Sequence, residues 1–203
     1  MKIKYFGHSC FLLTYKNYSI CIDPFSKIGL KEPNVSADYY FCSHNHYDHN
    51  NFGIVKSAKP LDNKVDYFTI KTFHDKKGGL LRGDNNVLVI NNELSIAHLG
   101  DLGQDLKIED INKLKGIDIL FCPIGGTYTI DYLEAKNLIE KLQPKIVIPM
   151  HYKVKGSTVD IDYPNLFINV VPYSINYMDS EIEINKQDVL TNETKIYFLE
   201  VNK

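Results

Sequence analysis

Cys42-Ser43-His44-Asn45-His46-Tyr47-Asp48-His49 sets three imidazoles and one carboxylate within a few residues, directly behind an apolar run. Asp38-Tyr39-Tyr40-Phe41-Cys42 reads as a buried strand. If the chain stays extended past it, His44 and His46 project to one side by the period of two. Asp48 and His49 then fall where Asn50 to Val55 turns helical, so their side chains diverge toward a second position nearby. A solitary surface histidine is ordinarily a solvated side chain. Here density decides: three of the seven histidines in 203 residues lie in this one stretch, and neutral imidazole with carboxylate is the ligand set of zinc and similar divalent ions.

Other short motifs follow in order: Gly7-His8-Ser9-Cys10-Phe11, Ile22-Asp23-Pro24-Phe25, Phe73-His74-Asp75, His98-Leu99-Gly100-Asp101-Leu102-Gly103, Pro123-Ile124-Gly125-Gly126 and Ile148-Pro149-Met150-His151-Tyr152. Together with His-x-His-x-Asp-His they resemble the metallo-β-lactamase fold superfamily, in its branch of compact metal-dependent hydrolases related to ascorbate-6-phosphate lactonase. The resemblance runs from residue 3 to about residue 155. It implies an α+β fold, a four-layer αββα sandwich with two pseudo-symmetric halves.

The same resemblance implies a ligand set and a chemistry. His44, His46 and His74 would hold one metal ion, Asp48, His49 and His151 a second, and Asp101 would bridge them. The implied cofactors are two divalent ions, zinc first, with manganese, iron or nickel as alternatives. Water held by such ions has its pKa lowered to roughly 7, which makes a metal-bridging hydroxide the nucleophile. Asp48 would orient it and receive its proton. Asp23, held extended before Pro24, would support the metal loop, although an aspartate before proline is also ordinary turn chemistry. His8 and His98 are assigned to the cleft wall or to a second layer behind the ligands. His98 is the rival of His74 as a ligand. His74 is preferred because it ends a strand in a loop, whereas His98 lies within a strand-like run where packing accounts for a histidine. A glutamate in place of His46 would point to a redox-active di-iron centre, and its absence argues against one.

Composition bounds the partners. Twenty-three basic and twenty-five acidic residues leave a formal net charge of -2, so no global basic field points toward nucleic acid. The four cysteines, Cys10, Cys21, Cys42 and Cys122, form no C-x-x-C pair and sit in apolar runs, the pattern of buried free thiols. Gly7-His8-Ser9 interrupts the first apolar segment well short of an export sequence. No run approaches the ~20 apolar residues that span a bilayer. A cytoplasmic protein of one domain, residues 1–203, with no membrane contact is expected; a homo-oligomer is left open.

Strands are read at 2–23 as hairpins and at 38–42, 65–70, 87–90, 94–97, 117–122 and 145–148, with helices at 104–115 and from Asp131 to Pro144. The last forty residues read as edge strands and loops. An internal echo relates Phe11–Ile20 to Val87–Ile96, and Asp38–Cys42 to Asp118–Cys122. It sets Pro123-Ile124-Gly125-Gly126 where the histidine loop stands in the first half, bordering the same cleft.

Arg82 is the only arginine of the chain. A guanidinium offers a planar fork for carboxylate or phosphate that lysine cannot copy. Arg82 follows His74 in a glycine-punctuated loop, so it is read as a clamp for an anionic substrate group, with the Tyr128 hydroxyl as a second contact; a surface ion pair with Asp84 is the alternative. The function expected is hydrolysis of a small, anionic lactone, ester or phosphate-bearing molecule. A phosphodiesterase or nuclease on the same ions and a non-catalytic metal-binding protein are the competing readings. Structural zinc is normally closed by four protein ligands, so an open position separates the last from the others.

Overall fold

The computed structural model describes residues 1–202. Its strands are β1 (Lys2–Gly7), β2 (Cys10–Thr14), β3 (Ser19–Ile22), β4 (Tyr39–Phe41), β5 (Lys59–Pro60), β6 (Tyr67–Phe73), β7 (Asp84–Asn91), β8 (Ser95–His98), β9 (Ile119–Pro123), β10 (Ile146–Met150), β11 (Ser174–Met178), β12 (Glu181–Glu183) and β13 (Lys195–Leu199). The helices are α1 (Ile108–Leu114), α2 (Tyr132–Leu142) and α3 (Asn165–Ile168). One sheet runs β12-β1-β2-β3-β4-β5 and the other β11-β13-β10-β9-β8-β7-β6.

Period-two alternation sorts the first sheet's side chains onto its faces. Ile3, Tyr5, Phe11, Leu13, Ile20 and Ile22 enter the core shared with the second sheet, where the rings of Phe11 and Phe121 meet at 4.5 Å between centroids. Phe6, Cys10 and Cys21 face the other way, into a smaller cluster closed by Phe25, Ile28, Val35, Ala37 and Val55. The second sheet is buried on both faces at its centre, and every residue of β9 and β10 is inaccessible. Such strands are parallel and read as unbroken apolar runs.

The helices lie on this second sheet, α2 touching both α1 and α3. Asp131 caps α2 by accepting from the N–H groups of Leu133 and Glu134 at 2.9 Å, while Glu134 accepts from the Asp131 N–H at 3.0 Å. α1 begins at Ile108, later than the expected 104, because Lys107 stands at the cap position and offers no side-chain acceptor. The first sheet is covered by a loop and a single 3-10 turn, Phe52–Ile54, where a helix from Asn50 was expected. In the C-terminal segment β12 is an edge strand as expected, whereas β13 lies inside the second sheet, parallel to both β10 and β11. Its Ile196, Phe198 and Leu199 are buried between those neighbours.

The two halves repeat one pattern. β1, β2 and β3 pair antiparallel and β4 joins parallel; β6, β7 and β8 pair antiparallel and β9 joins parallel. A side-chain clamp repeats with them. Asp38 accepts from the N–H and hydroxyl of Ser19 at 2.8 and 2.9 Å, and Asp118 accepts from the N–H and hydroxyl of Ser95 at 2.8 Å each.

Strand ends from both halves meet at one edge of the sandwich, and close backbone approach holds them there. A Cβ at Gly125 would stand 2.1 Å from the His151 carbonyl oxygen. Gly125→Ala should therefore push the His151 loop away from its place, costing about 1–3 kcal/mol in urea unfolding and lowering bound metal. Unchanged stability and metal content would show that this contact does not set the loop.

Candidate metal centre

The ligand-bearing segments are strand ends bent out of the sheets. The chain leaves β4 in a series of bends and turns, and His49 and Asn50 both donate their N–H groups to the His46 carbonyl. The expectation of an extended segment running into a helix is thus corrected: a turn, with the 3-10 helix beginning only at Phe52, presents Asp48 and His49. His8, Asp23 and His151 take left-handed φ values of 56°, 46° and 50°. Non-glycine residues in that region carry strain of order 1–3 kcal/mol each and persist only where the surroundings over-determine them.

Two groups of potential ligand atoms result. His44, His46 and His74 form one; His8, His49, Asp101 and His151 form the other, the atoms of each group lying within 4.8 Å of one another. Between them sits one oxygen. Asp101 Oδ2 is 3.2 Å from Nε2 of His49, His74 and His151 and 3.9 Å from Nε2 of His44.

Outer hydrogen bonds fix which nitrogen of the His44, His49 and His74 rings faces inward. His74 Nδ1 donates to the Tyr128 carbonyl at 2.8 Å. Its Nε2 therefore points at the Asp101 oxygen, a place where either a proton or a cation must lie between the two. Ser43 donates its hydroxyl to Asp23 at 2.7 Å and so accepts from His44 Nδ1 at 2.9 Å, leaving His44 Nε2 buried with no partner. Burial and the neighbouring His49 push the His44 pKa down to about 3, so the ring is neutral and its lone pair available. Asp101 Oδ1 and His151 Nδ1 are likewise buried without partners.

His49 differs. Burial opposes its charge, but Asp101 and Asp23 on either side raise its pKa well above the ordinary value. A proton favoured on this ring competes with a cation for Nε2, and metal uptake would displace it. Burial would raise Asp101 too, yet His151 and His49 hold it well below the usual carboxylate range.

These atoms fit divalent cations. Ligand bonds of ~2.0–2.1 Å in tetrahedral geometry separate the ligating atoms by roughly 3.3 Å, close to the 3.2 Å that recurs around Asp101. No arrangement of protons on neutral rings satisfies the same set.

The remaining sequence-derived residues fall as follows. Asp23 lies behind the ligands, accepting from the N–H of Ser43 at 2.6 Å and from His49 Nδ1 at 3.0 Å. Asp48 stands beside the second group: its Oδ2 is 3.3 Å from His8 Nε2 and 3.9 Å from His49 Nε2. His8 occupies the place in that group that the sequence had given to Asp48. Burial and His151 press the His8 pKa down to about 4.

His98 does not line the cleft; it is fully buried between Ser9 and Gly100, the chain neighbours of His8 and Asp101. It packs between Phe11 and Phe121, donates from Nε2 to the Ser9 carbonyl at 3.0 Å and accepts the Gly100 N–H on Nδ1 at 3.2 Å. Both of its nitrogens are occupied by backbone.

A cleft of about 560 Å³ opens over the site, lined among others by His46, Asp48, Arg82, Tyr128 and Asp160. The Arg82 guanidinium lies 4.2 Å from the centre of the Tyr128 ring, whereas Asp84 pairs with Lys71 at 2.9 Å. Asp75 holds the loop that carries Arg82. Its two carboxylate oxygens accept from the N–H groups of Lys77, Gly79, Leu81 and Arg82 at 2.7 to 3.1 Å.

Sequence reasoning missed Ser43 and the Tyr128 carbonyl as tautomer-fixing partners. It also missed Asn85, which accepts the Asp101 N–H at 2.9 Å and donates to Thr72 and the Leu99 carbonyl. None of these contacts but that of Ser43 is local in sequence.

A family model described as a beta-lactamase superfamily domain matches residues 2–151. A UPF0173 metal-dependent hydrolase of Nanoarchaeum equitans is 33% identical over 186 residues, covering 75% of this chain and 84% of that protein. One from Staphylothermus marinus is 30% identical over 191 residues, covering 74% and 82%. Among solved structures, a candidate Zn-dependent hydrolase of the metallo-beta-lactamase superfamily from Thermotoga maritima superposes with a TM-score of 0.79 at 32% identity, covering 98% of this chain and 99% of that one.

Asp23→Asn keeps the shape and tolerates the left-handed backbone but removes the charge that orients His49. Metal affinity, measured by competition with a chromogenic chelator, should fall roughly 10–100-fold. Wild-type affinity in this variant would remove Asp23 from the support of the centre.

Proposed function

We propose that this chain, a metal-dependent hydrolase that belongs to the metallo-beta-lactamase superfamily, acts on a small anionic molecule bearing a lactone, ester or phosphate group. The observation that carries the reading is the Asp101 oxygen ringed by imidazole nitrogens at the floor of a cleft whose lip holds Arg82, stacked on the Tyr128 ring. His44, His46 and His74 would hold one divalent ion and His49 and His151 the other, with Asp101 between them and Asp48 at the open side of the second. Zinc fits the imidazole-rich donor set best. When bound, the ions supply Lewis acidity and an activated water.

The residues of the chain do the rest. Asp48 is held well below the usual carboxylate range, since the His8 hydrogen bond and the nearby His49 outweigh the effect of burial. It is therefore ionised at neutral pH and accepts the hydrogen bond that orients the attacking water. The outer hydrogen bonds of His44, His49 and His74 keep their rings aimed without reorganisation during turnover. Arg82, backed by the Tyr128 ring, binds the anionic group of the substrate and positions the scissile bond over the centre.

The lining favours a small molecule over a polyanion. Arg82 is the one arginine or lysine among the residues that line the cleft, enough for one anionic group. A nucleic acid needs a basic track instead.

Turnover of the zinc-loaded chain on matched panels of lactones, thioesters, phosphomonoesters and phosphodiesters tests the reading. Activity is expected on anionic members of the first three classes. Arg82→Lys should lower kcat/KM on them by ~1.5–3 kcal/mol, mostly through KM, with metal content intact. Equal kinetics on neutral and anionic analogues, or activity confined to phosphodiesters, would overturn it.

A further inference from the structure

His8 lies at the end of β1, in a motif that the ligand set does not use. Its backbone is pinned from two directions: the carbonyl accepts the Tyr5 hydroxyl at 3.0 Å and the His151 N–H at 2.8 Å. With φ at 56°, the residue leaves the strand sharply and sends its ring inward. The ring is 2% exposed and packs at 4.2 Å from the His151 ring and 4.8 Å from the His49 ring, centroid to centroid. Little freedom remains for its Nε2.

That nitrogen has two neighbours, His49 Nε2 at 3.1 Å and Asp48 Oδ2 at 3.3 Å. His49 Nδ1 is held by Asp23, so His49 Nε2 is the atom that a cation would claim. Once it is claimed, Asp48 is the acceptor left to His8.

Asp48 needs such a partner. Asp23 and Asp75 each gather several donors. Among the described residues no backbone N–H is hydrogen-bonded to the Asp48 carboxylate, and His8 Nε2 is its nearest donor. A carboxylate on an open turn, 18% exposed, would otherwise sample several rotamers.

We propose that His8 is a positioning residue that aims the Asp48 carboxylate at the second ion through Nε2–H and, through its own carbonyl, fixes the backbone of His151. One side chain and one carbonyl thereby lock a residue from the first half of the sandwich to a residue from the second. The proposal rests on the reading of two divalent ions given above, and its test reads metal affinity with no substrate present.

Zinc affinities of the wild type, His8→Leu, His8→Gln, Asp48→Asn and the double variant His8→Leu/Asp48→Asn would be measured by chelator competition, with thermal unfolding as a check on folding. In His8→Leu the ion taken up last should bind 10–100-fold more weakly, with any earlier ion unaffected. His8→Gln, whose carboxamide can donate from nearly the same place, should recover most of that loss. The double variant should bind no more weakly than Asp48→Asn alone, because His8 acts through Asp48.

Equal loss in the Gln and Leu variants would mean that His8 is itself a ligand and would overturn the positioning role. Additive losses in the double variant, or wild-type affinity in His8→Leu, would overturn it as well. A wild type that binds one ion would sink the two-ion reading alone, since the same coupling to Asp48 is then read on that ion. A wild type that binds none would overturn both.

Discussion

Everything at the centre of this molecule is arranged around Asp101 Oδ2, a carboxylate oxygen with three imidazole nitrogens at 3.2 Å and a fourth at 3.9 Å. Placing an ionised carboxylate where it is 1% exposed costs several kcal/mol unless charge and hydrogen bonds compensate. In the metal-free chain the compensation comes from His151 and His49, which hold the Asp101 carboxyl well below its usual range. With a divalent cation it is a much larger local charge, which also gives the inward lone pair of His44 a partner. The same atoms thus describe a site that is electrostatically incomplete without a metal and nearly complete with one.

The sandwich exists to bring those atoms together from distant parts of the chain. His44, His46 and His49 come from the end of a first-sheet strand, and Asp101 and His151 from the ends of second-sheet strands. The parallel strands β3–β4 and β8–β9–β10 deliver their carboxyl ends to one edge, while the paired Ser–Asp clamps set the matching crossovers in each half. The strain stored at His8, Asp23 and His151 is the local cost of turning those strand ends into a common cavity. Close backbone contacts, such as Gly125 against the His151 carbonyl, leave the ligand loops little room to relax.

Much of this was legible in the sequence. The hairpin strands of residues 2–23 and the strands at 117–122 and 145–148 were readable from their apolar runs, and the spacing within the histidine stretch pointed to metal. The weak internal echo turned out to mark a real pairing pattern, down to Ser19–Asp38 and Ser95–Asp118. What remained hidden was long-range. The Tyr128 carbonyl reaches His74 across fifty-four positions, and His8 meets His49 across forty-one, distances over which local pattern carries no information. His98 was left open between the cleft wall and a layer behind the ligands because a histidine in a buried strand looks alike in either place. Only its two backbone hydrogen bonds distinguish the cases. The interior position of β13 was hidden for a related reason: Lys195-Ile196-Tyr197-Phe198-Leu199 alternates like an edge strand, and only its neighbours on both sides show that it is not one.

The central claim is that the inward Nε2 atoms and Asp101 surround divalent cations, and anomalous diffraction from crystals of the zinc-loaded chain tests it most directly. The account predicts two peaks, one bounded by Nε2 of His44 and His74 and by a ring nitrogen of His46, and one by Nε2 of His49 and His151, with Asp101 between them. A single peak, a peak bound through Nδ1 of His44, His49 or His74, or no peak at Asp101 would contradict it.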